Sequence, residues 1–193
     1  MKHIAVFCGS SSGASNVYKN GAVLLGQELA NRNITLVYGG SSIGIMGVVA
    51  DTVLKNGGKV IGIIPKMLVE KEISHQHLTE LQVVGSMHER KAKMAELADG
   101  FMALPGGTGT LEEFIEVLTW AQLGMHQKPC GLLNINHYYD PLIKLIHHMA
   151  DEEFLQEQFR EMALVDKSPT ALLDKFISYE PPAVRTYINR KQT

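Results

Sequence analysis

The sequence predicts an α/β fold: a single domain built on a doubly wound parallel sheet with helices on both faces. Three observations predict it. Short apolar, β-branched runs end in glycine or proline, segments of helical apolar period follow them, and the two alternate along nearly the whole chain. With 193 residues, 45% of them hydrophobic, the chain can bury one substantial core and is short for two. The domain spans residues 1–193, with 180–193 as a polar C-terminal tail.

Residues 4–8 form the first strand, stopped by Gly9, and a helix begins near Ala14 with its apolar stripe at Val17, Leu24, Leu25 and Leu29. The pattern repeats in a strand over 34–38 that ends at Gly39-Gly40, a helix over 45–56, and a strand over 59–64 that stops at Pro65. After a polar excursion come a strand over 78–84, a helix over 86–98, a strand over 101–104 and a helix over 108–124. A strand over 129–134, a helix from Tyr139 onward, a short strand near Leu164 and a helix capped by Ser168, with Pro169 first, complete the chain. Crossovers of this kind are right-handed, which leaves few topologies.

Composition narrows the function. Lys and Arg number 18 against 20 Asp and Glu, a formal charge of −2, so the basic footprint of a nucleic-acid partner is missing. Cys8 and Cys130 sit in apolar runs and read as small buried hydrophobes, with no disulfide framework. The start of the chain runs straight into a strand with no A-x-A-like cleavage site, and no apolar stretch reaches membrane-spanning length. A cytoplasmic protein with no membrane partner is expected.

In an open parallel sheet, ligands bind at the carboxyl ends of the strands. Glycines concentrate there in three turns: C-G-S-S-S-G (8–13), Y-G-G-S-S-I-G-I-M-G (38–47) and P-G-G-T-G-T-L-E-E (105–113). Gly9, Ser10, Gly39 and Gly40 thereby become candidate phosphate or ribose contacts. In the third turn Gly106, Gly107 and Gly109 permit close backbone approach, while Thr108 and Thr110 add hydroxyls at a helix start. Any one such turn could serve only to pack strand against helix; three at one sheet edge favour anion binding. No turn ends in G-K-[ST] and none has the G-x-G-x-x-G spacing, which weighs against an NTPase and a dehydrogenase.

Together, M-H-E-R-K (87–91), P-G-G-T-G-T-L-E-E, C-G-S-S, Y-G-G and T-W-A-Q-L-G (119–124) resemble the LOG family of cytokinin riboside 5′-monophosphate phosphoribohydrolases, long mislabelled lysine decarboxylases. The family pattern P-G-G-x-G-T-x-x-E is met at every defined position, with Glu113 last. The resemblance covers about the first two-thirds of the chain. It implies a Rossmann-like homodimer with sites near the subunit interface and neither metal nor organic cofactor. It also implies hydrolysis of AMP or N6-prenyl-AMP to free base and ribose 5-phosphate. Arg90 and Glu113 fall on the catalytic positions. Glu72, Arg90, Lys91, Gly106, Gly107, Thr108, Gly109, Thr110, Leu111, Glu112, Glu113 and Thr119 fall on substrate-binding positions. Around Glu72 the run E-K-E-I-S-H-Q-H departs from the P-R-E-I-T-G-E-T of plant members, which bears on base specificity.

Cleaving a C1′–N9 bond passes through an oxocarbenium-like sugar, so a carboxylate beside C1′ can stabilise charge and deliver water, by analogy with inverting glycoside hydrolysis. Glu113 takes that role. Arg90, permanently charged and planar, positions substrate and stabilises charge but cannot donate a proton; His88 is a candidate donor. On spacing alone, Glu113 is a solvated first-turn glutamate, and Arg90 and Lys91 form an exposed helix face paired with Glu89 and Glu96. His75 and His77 lie in a loop, His147 and His148 face different directions, and without an H-E-x-x-H arrangement no metal is expected. Phe114, Val117, Leu118 and Trp120 read as core or dimer-interface packing; Met46, Met94, Met102 and Met149 read as gap fillers. Two other functions compete: a non-catalytic Rossmann-like carrier of a nucleotide or phosphorylated ligand, and a decarboxylase with Lys91 as its Schiff-base lysine.

Overall fold

The computed structural model describes residues 1–69 and 74–183. Seven strands form one sheet: β1 (His3–Phe7), β2 (Thr35–Tyr38), β3 (Val60–Pro65), β4 (Glu80–Val84), β5 (Gly100–Ala103), β6 (Cys130–Leu133) and β7 (Ala163–Asp166). All pairings are parallel, in the order β4-β3-β2-β1-β5-β6-β7. The helices are α1 (Asn16–Asn31), α2 (Gly44–Lys55), the single turn α3 (Lys66–Val69), α4 (Met87–Leu97), α5 (Thr108–Gln122), α6 (Asp140–Asp151) and α7 (Pro169–Ile177). This is the doubly wound, Rossmann-like arrangement that the sequence predicts.

Side chains alternate across the sheet, so β1 serves both layers. Ile4 and Val6 pack with Leu25 and Leu29 of α1, Val49 and Val53 of α2, and Leu172 of α7. Ala5 and Phe7 face the other way, toward Met94 of α4, Phe114 and Val117 of α5, and Ile146 of α6. Strands buried on both faces carry near-continuous apolar runs, which is why they are readable in the sequence. The sheet grows outward from β1 through β2, β3 and β4, then resumes at β5 on β1's other side. The crevice between the ends of β1 and β5 is therefore the switch point, where a doubly wound sheet binds its ligand.

Local signals set the helix starts. Ser15, Ser86 and Ser168 each accept a backbone N–H of the helix that follows, from Val17 (3.3 Å), Glu89 (3.1 Å) and Ala171 (3.4 Å). Caps of this type contribute about 1 kcal/mol each. Boundaries differ from expectation where tertiary contacts intervene. β4 begins at Glu80, not residue 78, because the Thr79 hydroxyl accepts the Val60 N–H (3.0 Å) and Leu78 leaves the ladder to pack at Gly62. The polar excursion holds α3 and an antiparallel bridge between Ser41 and Ser74, neither of which has a periodic signature. Most of the tail, 184–193, lies outside the described residues. Among the described residues no helix is long and apolar enough to cross a membrane.

α1 and α2 cross at Gly26, where an added Cβ would stand 2.7 Å from Thr52 Cβ and 3.1 Å from the Val49 carbonyl oxygen. Alanine is intrinsically the better helix former by about 1 kcal/mol, but overpacking this crossing costs about 1–3 kcal/mol. Gly26→Ala is therefore expected to lower the urea midpoint of unfolding, and an unchanged or raised midpoint would show that the helices yield freely.

Candidate active site

α4 starts at a polar cap. Ser86 accepts the Glu89 N–H, and the Glu89 carboxylate reaches back to the Gly85 N–H (2.7 Å). With the helix so phased, Arg90 lies one turn in and faces the sheet, 8% exposed. Its Nε donates to the Ile63 carbonyl at the end of β3 (3.2 Å), and its Nη1 stands 3.0 Å from Glu113 Oε1. Nη2 lies directly over Gly39, where any Cβ would collide with it.

Glu113 is equally buried, 8% exposed, on the inner side of α5. Burial pushes its carboxyl above the ordinary glutamate value; Arg90 pulls the other way, and Glu112 adds to the rise. The solvated-glutamate reading is thus corrected, and so is the exposed-face reading of Arg90 and Lys91. Glu89 is committed to the cap and Glu96 pairs with Lys93 (2.9 Å). Lys91 instead crosses to α5, where it meets Glu112 (2.5 Å) and Glu116 (3.0 Å). The physical reason is packing: α4 turns this face onto α5, a contact between elements that helical spacing alone does not disclose.

Arg90, Glu112 and Glu113 wall a cleft of about 330 Å³ at the switch point, with Cys8, Gly9 and Ser10 as one side and Met46 and Met87 as apolar flanks. The start of α5 forms the opposite wall, from Gly107 to Thr110 with Glu112 and Glu113. No side chain caps α5, and a Cβ at Gly107 or Gly109 would meet open space. The first-turn amides, unused within the helix, therefore front the cleft at the positive end of the dipole. Cys8 borders Glu113, but burial, reinforced by that carboxylate, pushes its thiol up, so it is a protonated wall group and a poor nucleophile.

The other glycine turn works behind the cleft. The Ile45 and Met46 N–H groups at the start of α2 donate to the Gly9 carbonyl (3.0 and 3.3 Å), holding the first turn in place. Gly39 and Gly40 do not border the cleft. Gly39 makes room for Arg90, and Gly40 packs on Ile64 while its carbonyl accepts the His75 N–H (2.9 Å). Of the remaining candidates, Leu111 packs into the α5-side core and the Thr119 hydroxyl donates to the Ile115 carbonyl (2.7 Å). Gly106 faces a neighbouring cleft, and Glu72 lies outside the described residues. His88 is exposed and away from the cleft, and His75 is buried against Asp51 (2.9 Å). Met46, read as a gap filler, borders the cleft, whereas Met149 is 39% exposed. Cys8 and Met87 were missed as wall groups, although Met87 opens the M-H-E-R-K motif.

The family model described as "Possible lysine decarboxylase" matches residues 46–176. Cytokinin riboside 5′-monophosphate phosphoribohydrolase LOG1 of Arabidopsis thaliana is 49% identical over 180 residues, which cover 93% of this chain and 84% of the relative. Cytokinin riboside 5′-monophosphate phosphoribohydrolase LOG of Oryza sativa is 48% identical over 180 residues, 93% of this chain and 74% of the relative. Among solved structures, the molybdenum cofactor binding protein of Rippkaea orientalis superposes with a TM-score of 0.70 at 24% identity, covering 92% of this chain and 96% of its own. The Moco carrier protein of Chlamydomonas reinhardtii does so with 0.70 at 19% identity, covering 92% and 98%. Likeness at these identities establishes the fold alone.

Gly39→Ala places a methyl group where the Arg90 guanidinium lies and should break its bonds to Ile63 and Glu113. Disrupting a buried pair in this way is expected to cost about 3 kcal/mol, read as a lower denaturant midpoint. A midpoint equal to wild type would mean that the arginine has another place to go.

Proposed function

The chain belongs to the LOG family of cytokinin riboside 5′-monophosphate phosphoribohydrolases, and from that membership we propose that it hydrolyses adenine-type nucleoside 5′-monophosphates, AMP or N6-substituted AMP, to free base and ribose 5-phosphate. One observation carries the reading: a buried, arginine-held carboxylate lies in the same cleft as an uncapped helix start. From Thr108 to Glu113 the helix rises roughly 8 Å, the scale of a single sugar phosphate. The 5′-phosphate is held by the Gly107–Thr110 amides and the sugar lies over Glu113.

Glu113 acts ionised. It faces the anomeric carbon as positive charge develops there and orients the attacking water. Arg90 keeps that carboxylate in one geometry and charged despite its burial. Lys91 joins α4 to α5 beside the pair and, through Glu112, borders the substrate. Met46 and Met87 offer apolar contact to the departing base.

The decarboxylase label fits this chemistry poorly. A Schiff-base lysine needs its amine deprotonated; burial pulls Lys91 down, but its bonds to Glu112 and Glu116 outweigh that and hold it above the ordinary lysine value. The carrier reading rests on fold likeness below 25% identity, against relatives near 49% that are named as hydrolases. We further read the protein as a cytoplasmic homodimer. Met87 on the cleft wall and Ile115 on α5 are exposed, and Thr119, a family substrate position, does not border the cleft within one chain. A second copy bringing its own residues to that rim accounts for both.

Incubation with AMP and with N6-isopentenyl-AMP should release free base, detected by chromatography; no base from either would sink the hydrolase reading. Glu113→Gln is expected to lower kcat by about 100-fold or more with nucleotide affinity retained, because the group acts mainly in the transition state. Since Glu113 must be ionised and its pKa is raised, the wild-type rate should fall with decreasing pH at a value above the ordinary glutamate range. That acid limb should disappear in Glu113→Gln. Sedimentation equilibrium at twice the chain mass checks the homodimer, and a monomer would remove it.

A further inference from the structure

The peptide joining Gly106 to Gly107 has no side chain on either side to fix its orientation, yet the proposed phosphate cradle depends on it. A flip would replace an N–H with a carbonyl oxygen facing the anion. Among the described residues one group holds it: the Tyr138 hydroxyl donates to the Gly106 carbonyl at 2.5 Å. Every described peptide is trans, and in a planar trans peptide the C=O and the following N–H point in opposite directions. Gly106 and Tyr138 border a cleft of about 210 Å³ on the α1 side of the turn, whereas Gly107 borders both that cleft and the catalytic one. A carbonyl turned toward Tyr138 therefore aims the Gly107 N–H at the catalytic cleft.

Tyr138 is itself braced. Its ring meets Tyr18 edge-on (centroids 5.9 Å, 80°) and Tyr139 likewise (5.1 Å, 86°). Tyr18 in turn lies on Gly13, where an added Cβ would be 2.8 Å from the ring and where φ is +72°. The last glycine of the first turn thus supports the third turn through two aromatic rings.

We propose that Tyr138 is a positioning residue that orients the Gly106–Gly107 peptide so that the Gly107 N–H donates to a phosphate oxygen of the substrate. The identity of the anion rests on the phosphoribohydrolase reading; the peptide's orientation does not. Tyr139 provides an internal comparison, since its hydroxyl donates to the Leu104 carbonyl at 2.5 Å. The residue after Leu104 is Pro105, which has no N–H, so that bond stabilises the strand end without aiming a donor.

Calorimetric titration of wild type, Tyr138→Phe and Tyr139→Phe with ribose 5-phosphate, together with steady-state kinetics on AMP, tests the assignment. In Tyr138→Phe the Kd for ribose 5-phosphate and the KM for AMP should rise roughly three- to tenfold, the loss of one neutral hydrogen bond. Its kcat should stay within about twofold of wild type, and inhibition by adenosine, which lacks the phosphate, should not change. Tyr139→Phe should unfold at lower denaturant yet bind ribose 5-phosphate as wild type does. Tyr18→Leu, which removes the brace and leaves the Tyr138 hydroxyl, should weaken ribose 5-phosphate binding in the same direction by less.

Equal ribose 5-phosphate affinity in Tyr138→Phe and wild type overturns the assignment, as does an equal loss of adenosine inhibition or a wild type that binds no ribose 5-phosphate. Turnover by wild type with an unaffected Tyr138→Phe would leave the hydrolase reading standing without this residue. Weakened ribose 5-phosphate binding in a protein that releases no base would do the reverse.

Discussion

The buried Arg90–Glu113 pair is the constraint around which the rest of the site is organised. Taking two charges out of water costs several kcal/mol per ion, and their attraction offsets that only when geometry is held closely. Three elements hold it. β3 supplies the Ile63 carbonyl, the turn after β2 supplies Gly39 with no Cβ under the guanidinium, and α5 supplies the carboxylate. The strand order that sets β2 and β3 beside β1, with α4 and α5 on one face, is what brings these groups together. A buried ion pair is weak evidence of stability; here it is better understood as a means of keeping a carboxylate dry and fixed in place.

Around that pair the cleft separates two kinds of charge. At one end are the first-turn helix amides with fractional positive charge; the buried Glu113 and the more exposed Glu112 supply negative charge along the same wall, with Lys91 tied to Glu112. Cys8, Met46 and Met87 add weakly polar walls, and the low exposure of Arg90 and Glu113 strengthens the attraction between those two. An anion and a developing cation on the same small molecule would each find a matching group. The three glycine turns divide the labour: the third fronts the cleft, the second supports Arg90 and the first turn, and the first both walls the cleft and braces Tyr138.

Much of this was legible. β1, β2, β5 and β6 announce themselves as apolar runs because both sheet faces are covered, and Ser86 and Ser168 mark helix starts through local hydrogen bonds. Arg90 and Glu113 were identified by motif, not by periodicity. Helical spacing taken alone placed Arg90 and Lys91 on a solvated face with Glu89 and Glu96, and that reading failed because the partners of both cations lie more than 20 residues away on α5. Tyr138 left no signal, and Gly39 was read as a candidate ligand contact when it makes room for Arg90: both roles depend on which atom of a distant segment lies opposite them.

By itself, then, the sequence determined the alternation of strand and helix, the layering, and the glycine turn that opens α5, since each follows from side-chain period, backbone freedom and capping within a few residues. Only the tertiary structure decided that Glu113 is buried and Arg90 is its partner, that Gly39 accommodates a guanidinium, and that a tyrosine from beyond β6 orients a peptide after β5. Those outcomes depend on distances between segments far apart in the chain, and such distances exist only once the sheet has assembled.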